Sequence, residues 1–224
     1  LVANCESIKW ELENLGHTNK KIQVLYNNID VQQFKKEKHK KWILKEFDLQ
    51  EDVFLIVSSG LMIPRKNQNS LLKAMANINS NKAVLILMGD GPLCNPLQAM
   101  AKQLDIKVLF TGWRQDVLKV LRGCDLFVFS SYLEGMSNSI LEAMACELPC
   151  LVSDIPENRE LITDAEQRFP VDQSEILTKM INEVLHSRER LETIQRATLE
   201  DRKRFIFNWN EKIIEIAKEV IRTN

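Results

Sequence analysis

Short apolar runs rich in β-branched and aromatic residues alternate along this chain with stretches whose apolar positions recur at helical spacing. The runs DVFLIVS (52–58), KAVLILM (82–88), IKVLF (106–110), DLFVF (125–129) and PCLVS (149–153) read as strands, with helical patterns near 67–79, 93–104, 115–122 and 138–147 between them. Continuous apolar strands separated by single helices predict a parallel sheet covered on both faces, because a parallel return needs a crossover element. The fold class is therefore α/β, a doubly wound Rossmann-like parallel sheet. From 173 onward the pattern stays helical, which adds C-terminal helices.

The flanks are of a different kind. LVANC reads as a short strand, ESIKWELENLG as a helix stopped at Gly16, and KIQVLYNNID as a strand ending in a turn. KKEKHKKWILKEF is Lys-rich and fits a solvated helix. In NWNEKIIEIAKEVI, the residues Trp209, Ile213, Ile216, Ala217 and Val220 form one stripe that must cover something.

Seven glycines sharpen the sheet. Gly60, Gly89, Gly91, Gly112 and Gly135 each follow a predicted strand at its carboxyl end, the edge where open α/β sheets bind ligands against helix N-termini. Gly16 and Gly123 read as helix terminators.

Bulk properties exclude some classes. The 224 residues carry a formal net charge of -1, so no overall field would collect nucleic acid. No apolar run reaches the roughly 18 residues of a membrane span, and the first residues lack the layout of a signal peptide, so the protein reads as cytoplasmic. Leu1 in place of an initiator methionine fits a processed, excised or incompletely represented chain. Five cysteines form no CxxC pair and read as reduced thiols. Cys146 and Cys150 flank a predicted turn, as metal ligands or as small residues filling core space. The histidines have no partners at ligand spacing, so no metal is expected.

The chemistry concentrates in SSYLEGMSNSILEAMACELP, residues 130–149. Glu142 alone reads as a capping box with Ser139, closing its own helix. That leaves Glu134 and Gly135 unexplained. A helix whose unpaired N–H groups face the ligand edge, with Gly allowing close backbone approach, makes a phosphate site flanked by two carboxylates.

EGMSNSILEA is similar to the E-x7-E motif of retaining glycosyltransferases of the GT-B fold, family GT4. GDGPL (89–93) resembles the family's G-x-G-P-L loop, and VLYNNIDVQQF its interdomain linker, with Asn28 in place of the usual glycine. VLFTGWRQDVLKVLRGCDLFVFSSYLEG and LPCLVSDIPENRELI resemble the stretches on either side of the motif, so the likeness covers nearly the whole chain.

The resemblance implies a donor-binding half: residues 1–34 as remnant of an N-terminal domain plus linker, 35–206 as nucleotide-sugar domain, and 207–224 as crossover helix. It implies that Glu142 binds the donor ribose, Glu134 contacts the transferred sugar, and the N–H groups of Gly135, Met136, Ser137 and Asn138 hold the diphosphate. Lys66 matches the family lysine and, with Glu134, is expected to act catalytically. Gly60 and Gly89 line the same cleft. Leu61 stands where the family has arginine; Arg65 either supplies that charge or is a surface residue. Trp113 lies beside the nucleobase or packs its ring, and Ser59 and Ser131 face the cleft or serve as turn partners. Asp90 shapes its turn.

The implied activity is that of a hexosyltransferase in cell-surface polysaccharide biosynthesis, catalytically incomplete as this chain alone. Its co-substrate is a nucleotide-diphosphate sugar, with no other cofactor. The acceptor is a glycan or lipid-linked and sits on the missing domain, and the intact enzyme associates peripherally with the membrane. Alternatives are an inactive nucleotide-binding module or another GT-B enzyme such as a sugar-nucleotide epimerase. On the expected topology the apolar stripe of the last helix is exposed without its partner domain.

Overall fold

The computed structural model describes residues 1–17, 22–29 and 39–222. A short parallel pair, β1 (Val2–Ala3) and β2 (Gln23–Val24), brackets helix α1 (Glu6–Asn14). Then follow α2 (Lys40–Glu46), β3 (Phe54–Ser59), α3 (Gln68–Ala76), β4 (Ala83–Met88), α4 (Cys94–Gln103), β5 (Val108–Gly112), α5 (Val117–Leu121), β6 (Leu126–Phe129), α6 (Asn138–Ala145) and β7 (Cys150–Ser153). The chain continues through α7 (Pro156–Leu161), β8 (Arg168–Phe169), α8 (Ser174–His186), α9 (Arg188–Arg202) and α10 (Trp209–Arg222).

The main sheet has the order β5-β4-β3-β6-β7-β8, and every pairing is parallel. The order reverses between β3 and β6, which places the switch point of a doubly wound sheet between the loops that leave these two strands. All of β4 and β6, and β3 from Leu55 on, are buried, as a sheet covered on both faces requires. One core layer joins Leu55, Val57, Phe127 and Phe129 to Ile140 and Met144 of α6. The other joins Ile56, Leu85 and Val128 to Leu71 and Leu72 of α3 and Leu177 and Ile181 of α8.

The five central strands and the helices between them stand where the hydrophobic pattern predicts. The pattern missed α7, only six residues long, and β8, only two. α7 starts on Pro156, whose fixed φ suits a first helical turn. β8 is held by Arg168, which bonds Asp154 and the Ile162 carbonyl. The helical tail is interrupted at Ser187, whose hydroxyl caps α9, and again at 206–208.

Gly123 has a role beyond termination: a Cβ there would meet Ile43 Cδ1 at 2.4 Å, so the glycine admits α2 against α5. α2 itself is less solvated than its lysines predict, since Ile43 is buried and Lys119 stands 3.7 Å over the Trp42 ring. Its predicted amino-terminal part, 35–38, lies outside the described residues, as does the linker stretch 30–34 that carries the expected domain boundary.

Residues 1–17 and 22–29 pack onto the sheet domain. Glu160 of α7 accepts hydrogen bonds from the Glu6 and Ser7 N–H groups at 2.8 Å each, from the Ser7 hydroxyl at 2.7 Å and from Tyr26 at 3.1 Å. A carboxylate on another element thus caps α1, which has no cap of its own. Ile29 N–H donates to the Phe205 carbonyl at 2.7 Å, Asn28 to the Phe207 carbonyl at 3.1 Å, and the Tyr26 ring meets Phe205 edge-on.

The expected exposed stripe on α10 needs correction. Ile216 is 7% exposed within this chain, whereas Trp209 and Ala217 are exposed, and Ile214, off the predicted stripe, is exposed too. α10 meets the amino-terminal segment, where Gln23 donates to Glu219 at 3.1 Å, so part of the helix is covered without a second domain. The side chain of Val220 lies outside the described residues.

Candidate functional site

The loops leaving β3, β4 and β5 are stitched together at the carboxyl edge. Gly60 N–H donates to the Met88 carbonyl at 3.0 Å, and Gly89 N–H to the Gly112 carbonyl at 2.9 Å. A Cβ on Gly89 would lie 2.0 Å from the Gly60 oxygen, and φ there is +121°, so only glycine fits. Asp90 accepts from Gly91 N–H at 2.7 Å, the turn-shaping role expected of it.

Beyond Gly60 the chain makes a single 3-10 turn, Pro64–Lys66, and Asn67 takes a left-handed conformation before α3. The Lys66 side chain runs past Gly60, 3.6 Å from where a Cβ would stand. Its ammonium lies 2.7 Å from Glu134 Oε1 and 4.8 Å from the centre of the Phe129 ring. Both partners are largely enclosed, with side chains 12% and 7% exposed. The same carboxylate oxygen lies 2.5 Å from the Ser131 hydroxyl.

A polar scaffold holds that pair. Ser153 Oγ donates to the Ser131 carbonyl at 2.6 Å, and Asn158 Nδ2 reaches Ser153 at 3.0 Å. Ser130 Oγ lies 3.1 and 2.9 Å from the carbonyls of Lys66 and Asn67, and Tyr132 N–H donates to the Arg65 carbonyl at 2.8 Å. Sequence reasoning missed Ser130, Ser153 and Asn158. Ser130 and Ser153 stand at strand carboxyl ends, and that position, shared with Ser131, was the available signal. Ser131 is a partner of Glu134 rather than an open cleft residue. Ser59 is buried, and its hydroxyl finds no partner among the described residues.

α6 begins at Asn138 with Ser137 as N-cap and no capping side chain. The predicted capping box is therefore not formed, because the helix starts one residue before Ser139 and leaves that serine inside the first turn. Its ladder opens with Leu141 N–H on the Ser137 carbonyl, and the N–H groups of residues 135–138 have no acceptor among the described residues. Glu142 stands roughly 6 Å along the helix from Asn138. It is half-buried, and its carboxylate makes no hydrogen bond or ion pair among the described residues. Burial pushes its pKa above the usual carboxylate range.

The amino-terminal segment reaches this loop. Asn27 Nδ2 donates to Asn138 Oδ1 at 2.7 Å, Asn27 N–H to the Met136 sulfur at 3.0 Å, and a Cβ on Gly135 would stand 3.5 Å from the Asn4 amide.

Arg65 is exposed and donates to the Leu133 carbonyl at 3.2 Å, one residue before Glu134. Leu61, in the position of the family arginine, is exposed. Trp113 does not pack its ring: it is 77% exposed beside Gly112. Glu157 of α7 is buried with Oε2 unpartnered among the described residues, and its pKa is raised by burial first and then by Glu160 and Glu134. Lys66, Glu134 and the α6 amino terminus are thus brought together, with Arg65 on one flank and Glu142 behind.

A switch-point sheet edge carrying a buried Lys–Glu pair beside an uncapped helix defines a doubly wound α/β domain with an anion-competent site at its ligand edge. The family model described as glycosyl transferases group 1 matches residues 39–201, and the chain belongs to that family. It is 33% identical over 165 residues to the UDP-Gal:alpha-D-GlcNAc-diphosphoundecaprenol alpha-1,3-galactosyltransferase of Escherichia coli, covering 70% of this chain and 42% of that protein. It is 34% identical over 154 residues to the N-acetyl-alpha-D-glucosaminyl L-malate synthase of Bacillus anthracis, covering 66% of this chain and 40% of that one. The chain thus spans about two fifths of these relatives' length. Among solved structures, HepE of Anabaena in complex with UDP and glucose superposes with a TM-score of 0.89 at 22% identity, over 97% of this chain and 62% of that one.

Proposed function

We propose that this chain is the nucleotide-sugar half of a retaining hexosyltransferase that extends a lipid-linked or polysaccharide glycan, with a uridine diphosphate sugar as donor. The observation that carries the reading is the 2.7 Å Lys66–Glu134 pair set against the amides of residues 135–138, which have no acceptor among the described residues. The E. coli relative's name specifies UDP-galactose and a diphosphoundecaprenol acceptor, and HepE is solved with UDP; both favour uridine and a lipid-linked acceptor.

The charges define the task. Lys66 and Glu134 cancel, so a diphosphate is met by the α6 amides with their dipole, and by Lys66 turning from the carboxylate to phosphate. Arg65 turns from the Leu133 carbonyl to supply the charge that Leu61 lacks. Glu142, half-buried and without a partner among the described residues, accepts the ribose hydroxyls, and Trp113 covers the base.

In the reaction the bond between the anomeric carbon and the β-phosphate oxygen breaks, and its electron pair leaves with the nucleoside diphosphate. The acceptor oxygen bonds to the same face of that carbon, and its proton passes to the departing phosphate. Negative charge grows on phosphate oxygens, where preorganised amides and Lys66 stabilise it most. Glu134 lies where the transferred sugar emerges and faces the positive charge that builds on the ring.

Acceptor binding falls to a preceding domain, for which residues 1–34 form the connection and 207–224 the return helix. The intact protein works at the membrane surface through its acceptor; among the described residues no helix is long and apolar enough to cross a membrane. The test is transfer of labelled sugar from its UDP donor to a diphosphoundecaprenol-linked glycan by the intact protein. Lys66→Ala should lose about 2 to 4 kcal/mol of transition-state stabilisation, the cost of one oxyanion donor. An unchanged rate removes Lys66 from the chemistry.

A further inference from the structure

A second cavity lies behind the site, on the sheet face covered by α3 and α8. It measures about 160 Å³ and is lined by Asn67, Asn69, Ser70, Lys73, Tyr132, Val171, Asp172 and Ser174. Two helix amino termini converge there: Asn69 and Ser70 belong to the first turn of the nine-residue α3, and Ser174 opens the thirteen-residue α8. Both dipoles point their positive ends into the same space. The Lys73 ammonium makes no ion pair or hydrogen bond among the described residues. Ser70 is 7% exposed and lines the cavity, yet its hydroxyl has no hydrogen-bond partner among the described residues. A nearly buried hydroxyl normally finds a partner, and this one belongs to a residue of the cavity wall. The lining also holds one carboxylate, Asp172, close enough to the Tyr132 hydroxyl to help raise its pKa after burial.

We propose that this cavity is an oxyanion site, taking a phosphate group, free or carried on a sugar, between the amino termini of α3 and α8, with Lys73 as its cation and Ser70 as its buried donor. The cavity shares its wall with the donor site. Asn67, adjacent to Lys66, donates to the Val171 carbonyl at 3.2 Å, and Tyr132 N–H holds the Arg65 carbonyl. An anion here therefore touches the turn that aims Lys66, and whatever it does to donor affinity the donor must do to it. The site rests on its own lining, independent of the donor assignment.

Calorimetric titration of the protein with inorganic phosphate, glucose 6-phosphate and glucose tests it. Phosphate-bearing probes should bind, and the tighter of the two identifies free or sugar-borne phosphate as the natural form. Lys73→Gln should weaken binding on the order of tenfold, as expected for one charged hydrogen bond, and Ser70→Ala several-fold less. Lys73 is exposed, so its variant should fold as the parent does. Lys66→Ala should leave this binding in place. Loss of binding in Lys66→Ala with none in Lys73→Gln would put the anion at the donor loop and overturn the proposal. Glucose binding as tightly as its phosphate, or no binding of either anion, would overturn it equally.

Discussion

Glu142 and Lys66 occupy opposite electrostatic situations, and their substitutions should separate stability from function. Burial raises the Glu142 pKa in the folded state, so between its unfolded and folded values the native form holds more protons and stability falls as pH rises. The burden is therefore absent in acid and grows as pH rises above the unfolded value toward the folded one. Glu142→Gln should raise the melting temperature of the ligand-free protein at pH 7 and change it little near pH 3. On the proposed reading, such a gain is the usual trade between stability and activity. A variant no more stable at pH 7 would mean that Glu142 has a partner in solution. For Lys66 the direction reverses. Removing one member of an enclosed ion pair leaves the other uncompensated, so Lys66→Ala should lower stability by about 3 kcal/mol, whereas Lys66→Ala with Glu134→Gln should recover much of it. Urea unfolding of the two variants measures the difference.

The β3, β4 and β5 loops depend on glycine at one position above all. Gly89→Ala brings a Cβ to within 2.0 Å of the Gly60 oxygen, so it should cost more than the ~1–3 kcal/mol of strained backbone alone. Gly16 also has positive φ but stands in open space, so Gly16→Ala should cost no more than that strain. α1 presents another test, because Glu160 accepts from two amides at its amino terminus. Glu160→Ala should speed amide exchange in α1 while leaving β3 protected, with a loss of about 1 to 2 kcal/mol confined to the amino-terminal segment. Equal acceleration in β3 would show that the segment and the sheet open together.

These elements also show what the sequence made legible. The strands were readable because five apolar runs have no amphipathic alternation, and the ligand edge because glycine clusters after them. Glu134 and Gly135 followed from the motif and Lys66 from the family resemblance, and Lys66 and Glu134 do meet. Three features were hidden. The start of α6 is set by the descent of the chain from β6, so Ser139 offered a plausible cap that the fold does not use. The scaffold of Ser153 and Asn158 joins residues brought together by β7 and α7, and no local spacing announces it. The docking of α1 brings in a glutamate 153 or more positions away from the amides it binds, which no local spacing announces.

For the whole molecule, α10 and the amino-terminal segment together form a surface with both settled and unsettled parts. Ile216 is covered, but Trp10, Trp209 and Ile214 remain exposed. This is where we would expect a preceding acceptor domain to rest, since the match covers only 42% and 40% of the two relatives. If the proposed function holds, this chain should recognise its nucleotide alone. Saturation with UDP at a hundred times its dissociation constant should raise stability by about 2.7 kcal/mol, and by clearly more than GDP or ADP at the same concentration. Equal shifts for all three would mean that the base is not read by this half.

The structure of the protein with UDP bound tests the central claim most directly. The account predicts diphosphate oxygens within hydrogen-bond distance of the Gly135–Asn138 amides, Lys66 turned from Glu134 toward phosphate, and the ribose hydroxyls on Glu142. A diphosphate bound elsewhere, with the Lys66–Glu134 pair intact and Glu142 remote from the ribose, would contradict it.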